Sequence, residues 1–202
     1  MRAVIIGSGE IKNYEKAKSR ICAEDYIICA DGGYDHAVKM GIKPDILIGD
    51  FDSISNIPDD MEKVQYPTRK DMTDSHIAMD LAKEKGYNEM LLLGFTGDRA
   101  DHSLTNILLL INYPGAVIAD DNNEIRLIKD TAELCGNIGD TLSIIPVCGD
   151  LTGITTTGLE YPLNDETLYL GDSRGVSNVM TESCCKISCN GGMGLVIKVD
   201  KV

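Results

Sequence analysis

Three short stretches hold residues whose types and spacing suit chemistry on phosphate. "DILIGDFDSI" (residues 45–54) runs apolar through Ile46, Leu47 and Ile48, then delivers Asp50 and Asp52, two carboxylates two residues apart. Like charges that close repel, and burying either one is costly unless something positive sits between them. "YPTRKDMTDSH" (66–76) adds Arg69 and Lys70 ahead of an expected helix start, Asp71 or Thr73 as N-cap, and Asp74 in a first turn already served. A helix N-terminus preceded by Arg-Lys is a natural phosphate site. Asp74 beside Asp50 and Asp52 makes three hard oxygen ligands, a set that suits Mg²⁺ holding nucleotide phosphates. A divalent cation between them explains why paired aspartates end a buried strand. "GFTGDRADH" (94–102) repeats the logic: Arg99 beside a second helix start can clamp a phosphate, while Asp101 caps that helix or meets a polar substrate group. His102 fits an exposed first-turn position better than a catalytic base. His36 and His76 fall in helical segments with no evident partner.

These residues need elements to position them. "AVIIG" (3–7), "YIICA" (26–30), "DILIG" (45–49), "EMLLLG" (89–94) and "AVIAD" (116–120) are short apolar runs of buried-strand character. Between them lie amphipathic segments. "DSHIAMDLAKEKG" (74–86) puts Ile77, Ala78, Leu81 and Ala82 on one face and stops at Gly86. "DHSLTNILLLINYPG" (101–115) predicts a face of Leu104, Ile107, Leu108 and Ile111, ending before Pro114. Apolar strands alternating with helices imply a mostly parallel, Rossmann-like sheet covered on both faces, with ligands beyond the strand carboxyl ends. Those ends carry Gly7-Ser8-Gly9, Asp31-Gly32-Gly33, Asp50 with Asp52, and Gly94 through Asp101. Glycine there lets the backbone approach a ligand closely.

From about residue 121 the texture changes. "NEIRLIKD", "DTLSIIPVCG", "LTGITTTGLEYPL", "ETLYLGDS" and "GLVIKVD" are strand-length pieces broken by Gly, Asn and Asp, with no helix period. An all-β sandwich or barrel-like unit is expected. The predicted organisation is an α/β domain over 1–121 followed by an all-β domain over 122–202.

The net charge of −13 argues against a nucleic-acid or anionic-membrane partner, and a bound polyphosphate would need a metal ion or a local Lys/Arg cluster. No apolar run reaches the roughly 18–20 residues that cross a bilayer, and the N-terminus has no signal-like stretch, so a cytoplasmic protein is expected. Seven cysteines without a CxxC predict reduced, mostly buried thiols. "ESCCKISC" does not predict a structural zinc, because adjacent cysteines in a strand point to opposite faces.

Taken together and in order, "ADGGYDHAVKMGIKPDILIGDFDSI", "KDMTD", "GDRADHSLTNI" and "TTTGLEYPLNDETLYLGDSRGVSN" resemble thiamine pyrophosphokinases over roughly residues 28–180. The pair "GDFDSI" and "KDxTD" is specific where either alone is weak. The resemblance implies an ATP-binding α/β domain, a β domain contributing the thiamine site, and a homodimer with active sites between chains. It implies Mg²⁺-dependent transfer of pyrophosphate from ATP to the thiamine hydroxyl, giving thiamine diphosphate and AMP. By motif position, Asp50, Asp52 and Asp74 would hold the metal, Asp71 and Thr73 would face the phosphates with Arg69 and Lys70, and Asp31 would line the cleft. Arg99 and Asp101 would face nucleotide or thiamine. Tyr161, where some members have tryptophan, would stack on the aminopyrimidine ring, with Ser177 and Asn178 giving polar contacts. Asp71 is the candidate proton acceptor. Two rivals use the same features: another Mg²⁺-dependent kinase or nucleotidyl transferase, and a non-catalytic nucleotide or thiamine sensor. The sensor should have lost metal-ligand carboxylates, and Asp50, Asp52, Asp71 and Asp74 are all present.

Overall fold

A computed structural model describes residues 1–50, 61–65 and 71–201. The chain divides into two compact units, Met1–Asp121 and Asn122–Val202.

The N-terminal unit runs β1 (Arg2–Ile6), α1 (Tyr14–Ser19), β2 (Tyr26–Ala30), α2 (Gly33–Met40), β3 (Ile46–Gly49), β4 (Glu62–Gln65), α3 (Asp74–Glu84), β5 (Glu89–Leu93), α4 (Ala100–Leu109) and β6 (Ala116–Ala119). Its six strands pair in parallel in the order β4-β3-β2-β1-β5-β6. The chain therefore winds outward from β1 to β4, then returns to the other side of β1. That reversal opens a crevice between the carboxyl ends of β1 and β5. The continuous apolar runs follow from burial on both faces: Ala3 to Ile6 and Ile46 to Ile48 are fully buried. One core gathers Val4, Cys29, Tyr34, Leu47 and Leu93.

Helix α3 buries Ile77, Ala78 and Ala82 as expected, but Met79 joins them while Leu81 stays half-buried, and Gly86 beyond it takes the left-handed φ of 90° that stops the helix. Helix α4 departs from expectation. It ends at Leu109, and Leu104 and Leu108 are 59% and 41% exposed. The buried side carries Asn106 and Leu109 instead, because the unbroken apolar run from Ile107 to Ile111 leaves no unique stripe there and neighbouring packing chooses.

The C-terminal unit contains β7 (Asn123–Ile128), β8 (Thr131–Cys135), β9 (Thr141–Thr157), β10 (Glu166–Leu168), β11 (Asn178–Val179), β12 (Cys184–Ser188) and β13 (Gly191–Val199), all paired antiparallel. The spine is β9, which at 17 residues pairs with β13, β12, β10 and β11 in turn. Leu142, Leu151, Ile154, Met180, Cys185 and Val196 share its core. Asp140, fully buried, accepts from the main-chain N–H of Asn137 at 2.8 Å and of Lys201 at 2.9 Å, closing the turn before β9.

The expectation of reduced, buried thiols is overturned. Cys135 and Cys184 form a disulfide, and Cys22 and Cys148 are exposed; only Cys29, Cys185 and Cys189 are buried among the rest. Sequence spacing could not reveal the pairing, because its partners lie 49 residues apart and meet only through strand register.

Candidate functional site

A cleft of about 450 Å³ lies at the carboxyl ends of β1 and β5, lined by Ser8, Gly9, His36, Ser75, Gly94 to Arg99, and His102. Main-chain contacts build its floor. The N–H groups of Gly7, Gly9 and Glu10 each donate at 2.8 Å, to Leu93, Gly94 and Thr96 carbonyls. This interleaving needs glycine at two places in particular. Gly94 has φ +68°, and a Cβ there would lie 2.5 Å from the Gly7 oxygen. At Gly33, a Cβ would lie 1.9 Å from the Ile6 oxygen, so α2 could not start this close to β1 with any larger residue.

The acidic strand ends lie on the same edge of the sheet. Asp31 follows β2 in a left-handed conformation (φ 47°), and its N–H donates to the Ile48 carbonyl at 2.7 Å, placing it beside Gly49. Such a conformation costs free energy for a residue with a Cβ, so the surrounding loop holds it. Asp50, half-buried, follows β3 directly. Helix α3 begins here too: the Thr73 hydroxyl accepts from the His76 N–H at 3.3 Å as N-cap, Asp74 occupies the first turn, and Ser75 reaches the cleft. Asp71 is exposed two residues before the cap. Asp52, Arg69 and Lys70 lie outside the described residues.

The donors on this edge suit a hard dication, being carboxylate oxygens only. Among the described residues they do not gather into a closed cage of three or more ligands. Mg²⁺ does not need one, since it keeps several waters and uses one or two carboxylates plus phosphate oxygens.

On the β5 side, Arg99 holds the N-cap position of α4 with no side-chain cap bond, and its guanidinium donates to Asp101 at 3.0 and 2.6 Å. Asp101 is thus an ion-pair partner in the first turn, not the cap. Its carboxyl is held well below the usual range, chiefly by the Arg99 hydrogen bond. Both side chains are largely exposed, so the pair exchanges readily for other partners. Ser103 Oγ bridges the Gly97 N–H and carbonyl at 3.1 Å each, and buried Asn106 donates to the Phe95 carbonyl at 2.8 Å. These two fix the β5–α4 loop.

His36, without an expected partner, has two. Its Nε2 lies 2.9 Å from the Gly9 carbonyl and its Nδ1 2.9 Å from the Tyr14 hydroxyl. A carbonyl only accepts, so Nε2 carries the proton, and in the neutral ring Nδ1 accepts from Tyr14. Burial pulls the imidazole below its ordinary value, partly opposed by the Gly9 contact.

In the C-terminal unit Tyr161 is 64% exposed and so stands outside the core. Asn178 clamps the segment: its Oδ1 accepts from the Tyr161 N–H at 3.0 Å and its Nδ2 donates to the Tyr161 carbonyl at 2.7 Å. Oδ1 also accepts from Val179 N–H, so this amide is largely committed to the backbone. Ser177 sits at φ +64°, its N–H donating to Ser143 Oγ at 3.0 Å, with its side chain exposed.

Residues 17–126 match the family model described as "Thiamin pyrophosphokinase, catalytic domain", and residues 123–193 the one described as "Thiamin pyrophosphokinase, vitamin B1 binding domain". The chain belongs to the thiamine pyrophosphokinase family. It is a transferase with thiamine pyrophosphokinase function. The Thiamine pyrophosphokinase of Bacillus subtilis (strain 168) is 31% identical over 193 residues, covering 85% of this chain and 86% of that one. Thiamine pyrophosphokinase 1 of Oryza sativa subsp. japonica is 27% identical, covering 80% of this chain and 74% of its own. A crystal structure of the Bacillus subtilis protein superposes with a TM-score of 0.90 at 27% identity, covering 100% of both chains. The cleft also gathers Ser75 and Asn106, and His36 with its partner Tyr14, which no local spacing in the sequence brings together. Only the helical period placing His36 near the glycine turn could have flagged one of them.

Proposed function

We propose that this chain transfers the pyrophosphoryl group of ATP to the hydroxyl of thiamine, giving thiamine diphosphate and AMP, with Mg²⁺ as cofactor. The N-terminal unit, residues 1–121, is the Rossmann-like ATP and metal domain, and residues 122–202 form the thiamine-binding domain, a barrel-like β unit. One observation supports this most: the glycine-floored cleft shares an edge with Asp31, Asp50 and the capped start of α3.

The nucleotide phosphates lie along the cleft, where the glycine turns let them approach the backbone closely and the α3 N-terminus favours negative charge. Arg99 leaves Asp101 for phosphate, and Arg69 and Lys70 add charge from the segment before α3. Asp50, Asp52 and Asp74 would hold Mg²⁺, which would neutralise phosphate charge and make the phosphorus a better electrophile. Asp71, exposed and just ahead of the cap, accepts the thiamine hydroxyl proton as that oxygen attacks the β-phosphorus and AMP departs. Thr73 keeps the loop in place through its cap rather than by touching phosphate. Tyr161 offers a ring face to the aminopyrimidine, with Ser177 as the free polar contact and Asn178 holding the tyrosine segment. The protein mainly positions and neutralises, which is what phosphoryl chemistry requires.

The chain is further proposed to act in the cytoplasm as a homodimer, with active sites at the interface between copies. The exposed Leu104 and Leu108, one turn apart on α4, favour a covered surface. Light scattering that returns the monomer mass of 21.9 kDa at working concentration would remove that element. Among the described residues no helix is long and apolar enough to cross a membrane.

Phosphorus NMR of the protein with ATP, Mg²⁺ and thiamine tests the reaction. AMP and thiamine diphosphate should appear in equal amounts and vanish in Asp50→Asn. Formation of ADP would mean ordinary kinase chemistry, and intact ATP with bound thiamine would mean a binding module.

A further inference from the structure

The outward face of the β8–β12 pair carries a group of side chains that the transfer reaction does not use. Residues two apart on a strand share a face, so Glu133 and Cys135 project together from β8 while Leu134 between them is 2% exposed in the core. On β12, Cys184 and Lys186 project outward while Cys185 and Ile187 are buried. Cys184 lies directly opposite Cys135. The neighbouring Gly136 N–H donates to the Ser183 carbonyl at 2.9 Å, which makes the cysteines the narrow pair of the ladder, with Cα atoms 4.0 Å apart. A carboxylate oxygen of Glu133 and both sulfurs all lie within 4.8 Å of one another. The pair stands at the sheet edge, and Cys135 is exposed, so thiols and ions in solution can reach it.

We propose that Cys135, Cys184 and Glu133 form a redox-gated site for a thiophilic divalent cation, with Zn²⁺ as the reference ion. Two thiolates and a carboxylate are a donor set that zinc accepts in tetrahedral geometry, water taking the fourth position. Tetrahedral Zn–S bonds of about 2.3 Å place the two sulfurs about 3.7 Å apart, a span the narrow strand pair allows. Glu133 faces Lys186 across the ladder at 3.7 Å, an exposed contact that yields easily to a dication. A carboxylate contributes nothing to a purely structural disulfide. As a third ligand it completes the metal site.

The gate balances as thiol–disulfide exchange. An external dithiol supplies two electrons and two protons, the Cys135–Cys184 bond breaks to two thiols, and the dithiol closes to its own disulfide. Zn²⁺ then displaces the two thiol protons as two Zn–S bonds form. The same sulfurs serve both states, so disulfide and metal exclude each other.

The test uses the whole chain, reduced with a dithiol, desalted anaerobically, and titrated with Zn²⁺ against a chromophoric chelator. Excess Mg²⁺ occupies the oxygen-rich edge of the other unit. The reduced chain should bind one more Zn²⁺ than Cys135→Ser. Glu133→Gln should raise the zinc Kd by about tenfold or more, since even outer-shell substitutions cost that much. The oxidised chain, with five free thiols under denaturing conditions against seven when reduced, should bind no such ion. Equal stoichiometry in the reduced chain and Cys135→Ser, or undiminished binding after oxidation, overturns the proposal. Cobalt(II) on the unmutated reduced chain gives a reading independent of any variant's folding. A sulfur-to-cobalt charge-transfer band that vanishes on oxidation is expected, and its absence overturns the site.

Discussion

In the N-terminal unit main-chain contacts build the floor of the cleft, with Ser103 and Asn106 adding side-chain bonds in the β5–α4 loop: Gly7, Gly9 and Glu10 bond across to the β5 end, and glycines 33 and 94 permit approaches that any Cβ would block. In the C-terminal unit side chains do that work. Asn178 clamps the Tyr161 backbone from both sides, Asp140 closes a turn from within the core, and a disulfide ties β8 to β12. The difference teaches what each kind of sheet demands. A parallel sheet buried on both faces ends in loops that must lie close together, so backbone shape is the resource. An antiparallel unit exposes one face and has room for side-chain links.

Four substitutions or treatments bear on that comparison. The largest effect belongs to the acidic edge: Asp50→Asn should lower turnover by about 10³-fold, roughly 4 kcal/mol of barrier, with the circular dichroism spectrum unchanged. Retained turnover would place the metal elsewhere. Reducing the disulfide should cost the folded state about 2–4 kcal/mol, because the bond closes a loop between residues 49 apart. Urea unfolding with and without a dithiol reads this, and an unmoved midpoint would show that strand pairing alone holds the β unit. Gly33→Ala should cost about 2 kcal/mol or more, since its Cβ meets backbone rather than a flexible side chain. An equally stable variant would show that the α2 start can shift, contrary to a backbone-determined rim. Asn178→Ala should raise the KM for thiamine about tenfold with kcat nearly constant, if the clamp acts only by holding Tyr161.

The smallest effect is a pH dependence. Burial lowers the His36 pKa in the folded chain, so the unfolded chain binds the proton more readily. Stability is therefore fully present above the ordinary imidazole value of about 6.5, and falls as pH drops below it. The loss of melting temperature between neutral and mildly acidic buffer should be smaller in His36→Gln than in the parent chain. An identical loss in both would assign the acid sensitivity to other groups.

The apolar strand runs and the α3 face were legible because their periodicity matches burial: Ile46 to Ile48, Ile77, Ala78 and Ala82 all lie in the core. The α4 face was not, because Leu104, Ile107, Leu108, Leu109, Leu110 and Ile111 make nearly every side apolar. Likewise β9 appeared as fragments, since Pro146, Gly149 and Gly153 interrupt a strand that simply bends there and changes partners.

At the candidate site, residue type and order were enough to raise the acids, the basic pair and the glycine turns. Chemistry at a strand end needs particular side chains, and those are written in the chain directly. Which atoms are already engaged was decided only by the fold. Thr73 and Asn178 are committed to backbone, Arg99 to Asp101, and His36 to Gly9 and Tyr14. Partnerships across 17, 22 or 49 residues depend on strand register and helix packing, which no local spacing encodes. Residue type and order alone carried the family, most of the element types and the acids at the strand ends. Only the tertiary structure decided that Cys135 meets Cys184 and that Tyr161 faces solvent, because both follow from long-range pairing rather than from composition.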